Sequence, residues 1–206
     1  MRVKLLLASS NQGKLREYRS LAVGRPEIAI DLLPGFGEYP LFSEDAPTFA
    51  ENAAGKALHY SRFADEIVFA DDSGLVVASL NGAPGVRSAR YAGEKASDKE
   101  RNAKLLAEMS GKSGDARDAK FVCVIAAAKQ GKMLAVVSDS VEGAIANEPR
   151  GANGFGYDPL FYFAPLQRTF GELNETEKNQ LSHRGKAFRR LHDALTSIKT
   201  ASPSRI

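Results

Sequence analysis

The sequence is short of several things, and each shortage narrows what the chain can be. It has one cysteine, Cys123, so no disulfide can form within the chain and no cysteine-based zinc site can be assembled. That cysteine lies in the apolar run Phe121-Val122-Cys123-Val124-Ile125, which reads as a core position. The missing disulfides suit a reducing compartment and predict a cytoplasmic location. The apolar run at the N-terminus, inside Met1-Arg2-Val3-Lys4-Leu5-Leu6-Leu7-Ala8, is too short for a signal peptide or a membrane span, so no membrane partner is expected. An excess of one charge is also lacking. The 28 basic and 25 acidic residues leave a formal charge of +3, too balanced for a nucleic-acid coat, although a basic cleft for an anionic small molecule is compatible with it. Internal repeats, low-complexity segments and an interdomain linker are absent as well. With 206 residues, 43% of them hydrophobic, the chain suits a single domain over residues 1–200 with a disordered tail at 201–206.

What is present centres on Phe69-Ala70-Asp71-Asp72-Ser73-Gly74, set between the apolar pairs Ile67-Val68 and Leu75-Val76. It reads as two acidic side chains exposed where one strand ends and another begins. Adjacent carboxylates repel, and burying both is costly unless positive charge lies beside them. A divalent cation would supply it, and oxygen ligands with no His or Cys nearby favour Mg²⁺ or Mn²⁺ over zinc. A turn whose side chains bond their own backbone accounts for the same residues without a metal.

Taken in order, Val3–Ala8 suits a buried strand. Ser9-Ser10-Asn11-Gln12-Gly13-Lys14 follows, and then Leu15, Tyr18, Leu21 and Ala22 at helical spacing. A strand, a small polar loop and a helix make a place where free N–H groups and the positive helix end can hold phosphate, with Lys14 adding a full charge. The loop is not a Walker A sequence, because Ala8 stands at its first glycine and Leu15 at its metal-binding Ser or Thr, so any metal is held elsewhere. An ordinary Ser/Asn-capped helix fits the same residues.

A second strand is expected at Ile28–Leu32, then a loop marked by Pro34, Gly35, Gly37 and Pro40 and closed by Glu44-Asp45. The spacing of Phe49, Ala53, Ala57 and Tyr60 predicts a helix from about Pro47 to Phe63 that also carries Glu51, Asn52 and Lys56. Beyond the acidic pair come an arginine-bearing loop over 81–93 and a capping box at Ser97–Glu100 opening a helix to about Ser110. Two long β-type runs, Ala119–Ala128 and Met133–Ile145, read as a hairpin across Lys129–Lys132. Long paired strands after an αβ start argue for a mixed sheet. The glycine-rich stretch Pro149–Phe161 holds Phe155 and Tyr157 on a loop, which suits stacking on a flat ring or packing into the core. Ser182 caps a terminal helix whose apolar face is Leu181, Phe188, Leu191 and Leu195. His183 and Arg184 fall in its first turn, against the helix dipole, so something acceptor-rich should compensate them.

Five stretches then occur in register: Ser9-x-Asn11-x-x-Lys14, Phe49-x-Glu51-Asn52-Ala53-x-x-Lys56-Ala57, Ala70–Leu75, Gly154-Phe155-Gly156-Tyr157-Asp158-Pro159 and Ser182-His183-Arg184-Gly185-x-Ala187. Together, over roughly residues 3 to 197, they resemble the inosine triphosphate pyrophosphatase family. The resemblance implies an elongated, two-lobed α/β fold with a long mixed sheet, flanking helices, a nucleotide cleft between the lobes and a homodimeric assembly. It implies that a non-standard purine nucleoside triphosphate (ITP, dITP or XTP) and water give the monophosphate and pyrophosphate. Carried over by position, Ser9, Ser10, Asn11, Gln12, Gly13 and Lys14 meet the triphosphate, with Lys56 as a second phosphate contact and Ser73 at the substrate. Glu44 and Asp72 hold Mg²⁺, and Asp72 is also the general base. Phe155, Gly156, Tyr157 and Asp158, with Lys178, His183 and Arg184, form the base pocket. Ser9 stands where many members have Thr, which keeps the hydroxyl, and Arg87 stands where an aromatic or aliphatic residue is expected.

Overall fold

Alternation along three strands decides how the first part of the chain is layered. The computed structural model describes residues 3–201. The strands are β1 (Val3–Leu7), β2 (Ile28–Leu32), β3 (Ile67–Val77), β4 (Asp118–Lys129), β5 (Lys132–Ile145), β6 (Phe161–Phe163) and β7 (Arg168–Thr169). The helices are α1 (Gln12–Leu21), α2 (Phe49–Tyr60), α3 (Asp98–Glu108), α4 (Glu175–Leu181) and α5 (His183–Ala201). One sheet has the order β2-β1-β3-β4-β5-β6-β7, with β2-β1-β3 parallel and β5-β6-β7 antiparallel, the mixed sheet expected. Among the described residues no helix is long and apolar enough to cross a membrane.

The chain folds as two units. One takes in the chain up to Asp72, Cys123–Asp139 and the chain from Arg184 onward; the other takes in Ser73–Val122 and Ser140–His183. In the first unit, Leu5, Leu7, Phe69, Cys123 and Ile125 pack with Leu15 and Tyr18 of α1 and with Phe188 and Leu191 of α5. The residues between them, Leu6, Val68, Ala70, Val124 and Ala126, pack instead with Ala53, Ala57 and Tyr60 of α2. Successive strand side chains point to opposite faces, so this unit has three layers, with α1 and α5 on one face of the sheet and α2 on the other. The second unit has its own core of Leu75, Val77, Leu105, Phe121, Leu160, Phe161 and Phe170.

Several boundaries differ from the expectations. The acidic pair does not mark a strand end: β3 runs unbroken through Asp71 and Asp72, and both are buried. Lys14, Arg184 and Asn52 satisfy those carboxylates locally, so the ladder has no reason to stop there. Pro47 lies outside α2, because Thr48 takes the N-cap and accepts from the Glu51 amide; a 3₁₀ turn, Ser61–Phe63, finishes that stretch. Leu181 belongs to α4, a helix not foreseen, which Asn174 and Glu177 open with a capping box. The hairpin connection shrinks to Gln130-Gly131, both at positive φ, the combination a type I′ turn requires. The capping box at Ser97 and Glu100 forms as read. Apart from Ala201, which ends α5, the tail at 201–206 lies outside the described residues, as do Met1 and Arg2.

Candidate active site

Asp71 and Asp72 are neighbours in sequence but sit in opposite layers, and their environments differ accordingly. Asp71 shares the face of α1 and α5, fully buried, with Lys14 Nζ 2.9 Å from Oδ1 and Arg184 Nε 3.4 Å from Oδ2. Burial by itself would raise its proton affinity, but Lys14, Arg184 and Lys56 outweigh it and hold the carboxyl well below the ordinary range. Arg184 also donates to Glu17 Oε2 at 2.5 Å, and its guanidinium, though buried, is held firmly protonated by the two carboxylates. The acceptor-rich compensation expected at Arg184 therefore comes from Glu17 and Asp71.

Asp72 faces α2. Asn52, fully buried one turn before Lys56, donates from Nδ2 to Asp72 Oδ2 at 3.0 Å. Burial pushes the Asp72 carboxyl up to about 6, the Asn52 hydrogen bond and Lys14 pull the other way, and the Glu44 charge adds to the rise. One strand thus carries a carboxyl held down on one face and another pushed up on the next. The two groups differ in chemistry because the β pleat gives them different partners.

The remaining residues that the resemblance assigns to the triphosphate gather on the same unit. Ser9 follows β1, and its Oγ accepts from the Asn11 amide at 3.1 Å. Asn11 caps α1 by accepting from the Lys14 amide at 3.0 Å, while Ser10, Asn11 and Gln12 are exposed. Gly13 is half-buried behind them. Lys56 Nζ bonds Asp71 O at 3.1 Å and Glu44 Oε1 at 2.9 Å, so two lysines converge on the Asp71 carbonyl, Lys14 from 3.4 Å. Asp45, next to Glu44, accepts from Ser43.

The loop carrying Glu44 is pinned to α2. Asn52 bonds both the carbonyl and the amide of Ala46, the Phe42 amide donates to Tyr60 Oη at 3.3 Å, and His59 Nε2 lies 2.7 Å from Pro40 O. Gly55 leaves a notch for the Phe42 ring, since a Cβ there would stand 2.4 Å from Phe42 Cζ. A Gly55→Leu substitution is therefore expected to cost about 1–3 kcal/mol through overpacking. Adding Phe42→Ala should recover part of that cost. Urea unfolding of the single and double variants measures the coupling, and strictly additive losses would show that ring and notch do not interact.

In the second unit, Phe155, Gly156, Tyr157 and Asp158 form an irregular segment between β5 and β6. Asp158 is buried, and its Oδ2 accepts from the Phe155 amide at 2.8 Å and from Lys178 Nζ at 2.5 Å. A Cβ on Gly154, which has φ +75°, would meet that oxygen at 2.1 Å, so only glycine fits. The Lys178 ammonium stands 5.0 Å from the centroid of the half-buried Phe155 ring. Tyr157 goes to the core, with its hydroxyl donating to Ser88 O at 2.9 Å. His183 stacks on Phe121 at 4.6 Å, and Ser73 follows Asp72 on β3, half-buried.

The structure thus brings Lys14, Lys56, Glu44 and Asp72 together, and Phe155, Asp158 and Lys178 together. It places Arg184 with Glu17 and Asp71. Sequence reasoning left Glu17 and Asn52 without roles. Glu17 is one helical step from Lys14 on the 14, 17, 18, 21 face, and Asn52 shares the buried face of α2 with Ala53, Lys56, Ala57 and Tyr60; both are polar residues where periodicity predicts burial.

Among the described residues no three His, Cys, Asp or Glu side chains cluster to hold a metal ion. Two carboxylates, one half-exposed and one whose proton affinity the other raises, fit a hard divalent cation that keeps part of its water shell.

A family model described as the Ham1 family matches residues 5–194. A curated dITP/XTP pyrophosphatase of Desulforamulus reducens is 46% identical over 198 residues, which span 95% of this chain and 97% of that protein. A solved HAM1 protein of Coxiella burnetii matches with a TM-score of 0.83 at 42% identity over 95% of this chain and 99% of the other. The Ham1 protein of Staphylococcus aureus matches with a TM-score of 0.82 at 37% identity, over 95% of this chain and 100% of the other.

Proposed function

The chain belongs to the Ham1 family, and on that basis we propose that it hydrolyses non-standard purine nucleoside triphosphates, ITP, dITP and XTP, to the monophosphate and pyrophosphate, clearing them from the nucleotide pool. The observation that carries this reading is the split of Asp71 and Asp72 between two environments. Asp71 holds Lys14 and Arg184 in place as a permanent anion, which leaves Asp72 as the carboxyl able to exchange a proton.

The first unit carries the phosphate chemistry. The amides and side chains of Ser9, Ser10, Asn11, Gln12 and Gly13 at the start of α1, with Lys14 and Lys56, bind the triphosphate. Asp72, oriented by Asn52, takes the proton of the water that attacks the α-phosphorus. The bond from that phosphorus to the bridging oxygen breaks, and its electron pair leaves with the pyrophosphate. Glu44 and Asp72 would hold Mg²⁺, which supplies charge stabilisation to the phosphate oxygens in the transition state. Ser73 contacts the substrate beside them.

The second unit carries the base chemistry, with Phe155 stacking on the purine inside the Phe155–Asp158 loop. Lys178 and His183 of this unit meet the acceptor at C6 of a 6-oxopurine; Arg184, which the resemblance also carries to the base, belongs to the first unit, where Glu17 and Asp71 hold it. Adenine presents an amino donor there, so donor would face donor in a dry pocket. We take residues 1–200 as one catalytic domain, after the family resemblance. We take the active form to be a cytoplasmic homodimer, after the family resemblance.

Phe155→Ala is expected to weaken dITP binding by about 1–3 kcal/mol, the range for an aromatic side chain stacked on a base. Calorimetric titration measures it, and an unchanged affinity would return Phe155 to a packing role. Hydrolysis in oxygen-18 water tests the reaction itself: the label should enter the monophosphate. Label in pyrophosphate or orthophosphate would place the attack on another phosphorus.

A further inference from the structure

Helix α3 takes no part in the chemistry assigned above, yet two of its side chains, one turn apart, close on the same residue of the base loop. The Gly156 amide donates to Asp98 Oδ2 at 2.7 Å, and Asn102 Nδ2 donates to the Gly156 carbonyl at 3.0 Å. The amide belongs to the peptide plane shared with Phe155 and the carbonyl to the plane shared with Tyr157. Both planes flanking Gly156, whose φ is +65°, are therefore fixed from α3. Asp98 is itself held by Arg101, which also donates to Ala89 O at 3.0 Å and to Ala96 O.

Asn102 is buried, and its Oδ1 has no hydrogen-bond partner among the described residues. A buried amide oxygen left unmatched costs stability that an apolar side chain would not. The bond to Gly156 is what the residue supplies in exchange. The dipole of α3 favours an acid in its first turn, which accounts for the charge of Asp98 but not for its aim at the Gly156 amide.

We propose that Asp98 and Asn102 are positioning residues for base selection: they set the orientation of the Phe155–Gly156–Tyr157 backbone and so the register in which a purine is read. The proposal rests on the assignment of that loop to the base.

The test compares kcat and KM for dITP and dGTP in the wild type, Asp98→Ala, Asp98→Asn and Asn102→Leu, with a melting temperature for each. In Asp98→Ala and Asn102→Leu, KM for dITP should rise roughly tenfold, the effect of one well-made hydrogen bond, while kcat holds within about twofold. The dITP-to-dGTP preference should narrow by a similar factor. Asp98→Asn should keep the wild-type preference, because its amide oxygen still accepts from Gly156. Asn102→Leu should melt no lower than the wild type. If both Asp98 variants lose the same stability and keep the preference, Asp98 is only a helix-end charge and the proposal is overturned. If the wild type turns dITP over and no variant moves the ratio, positioning fails while the pyrophosphatase reading stands. If the wild type binds dITP without releasing pyrophosphate, the reaction assignment fails, and the same ratios read as calorimetric dissociation constants still decide the role of α3.

Discussion

Asp72→Asn should lower turnover of dITP by about 10³-fold or more, within the reach of a lost general base that is also a metal ligand, and should at the same time stabilise the metal-free protein at pH 8. The two effects have one origin. Burial, aided by the Glu44 charge, raises Asp72 to about 6, against about 3.9 for an unfolded aspartate. The native state then binds this proton more tightly than the unfolded chain does. Its contribution to stability is greatest below about pH 4, falls as pH rises to about 6 and is level above that. About two pKa units at about 1.4 kcal/mol each correspond to roughly 3 kcal/mol relinquished at neutral pH. Asparagine keeps an oxygen for the Asn52 donor and carries no charge to desolvate. Urea unfolding in EDTA at pH 4 and pH 8 should show the wild type losing stability between the two relative to the variant. An inactive variant that is also less stable at pH 8 would mean that favourable partners, not burial, dominate at Asp72.

Asp71→Asn should instead destabilise the protein by about 3–5 kcal/mol, as expected when one partner is removed from a buried ion cluster. Arg184 is 3% exposed and would keep Glu17 but lose the Asp71 carboxylate, while Lys14 would lose its 2.9 Å partner. The pH dependence runs opposite to that of Asp72. The folded carboxyl of Asp71 is held low, so its contribution is complete above about pH 4 and is lost as pH falls through its depressed folded-state value. The acid limb of unfolding should therefore be shallower in Asp71→Asn than in the wild type. A loss below about 1 kcal/mol with an unchanged acid limb would show that Arg184 is satisfied without the Asp71 charge.

The contrast between these two residues also shows what a sequence can and cannot reveal. The strands β1, β2, β4 and β5, the caps Asn11 and Ser97 and the two-strand hairpin were legible because they depend on local pattern: apolar runs, capping spacing and a glycine turn. The acidic pair was legible as chemistry but misread as structure. Two adjacent charges look like a strand end, and partners remote in sequence, Lys14, Lys56, Arg184 and Asn52 among them, make their burial tolerable. Helix α4 was missed because seven residues, mostly polar, carry no periodic apolar signal beyond the capping box at Asn174. For the same reason Tyr157 and Phe155 looked equivalent on one loop. Their different fates, one bonded to Ser88 in the core and one half-buried beside Lys178, are set by tertiary partners up to 69 residues away.

The measurement that tests the account most directly is pyrophosphate release from ITP, dITP, XTP, GTP, ATP and CTP by the purified protein, with Mg²⁺ and with EDTA. The account predicts fast release from the first three, strongly dependent on the metal, and slow or no release from the others. Equal release from all six would contradict the base chemistry assigned to Phe155 and Lys178, and binding without release from any would remove Asp72 from catalysis.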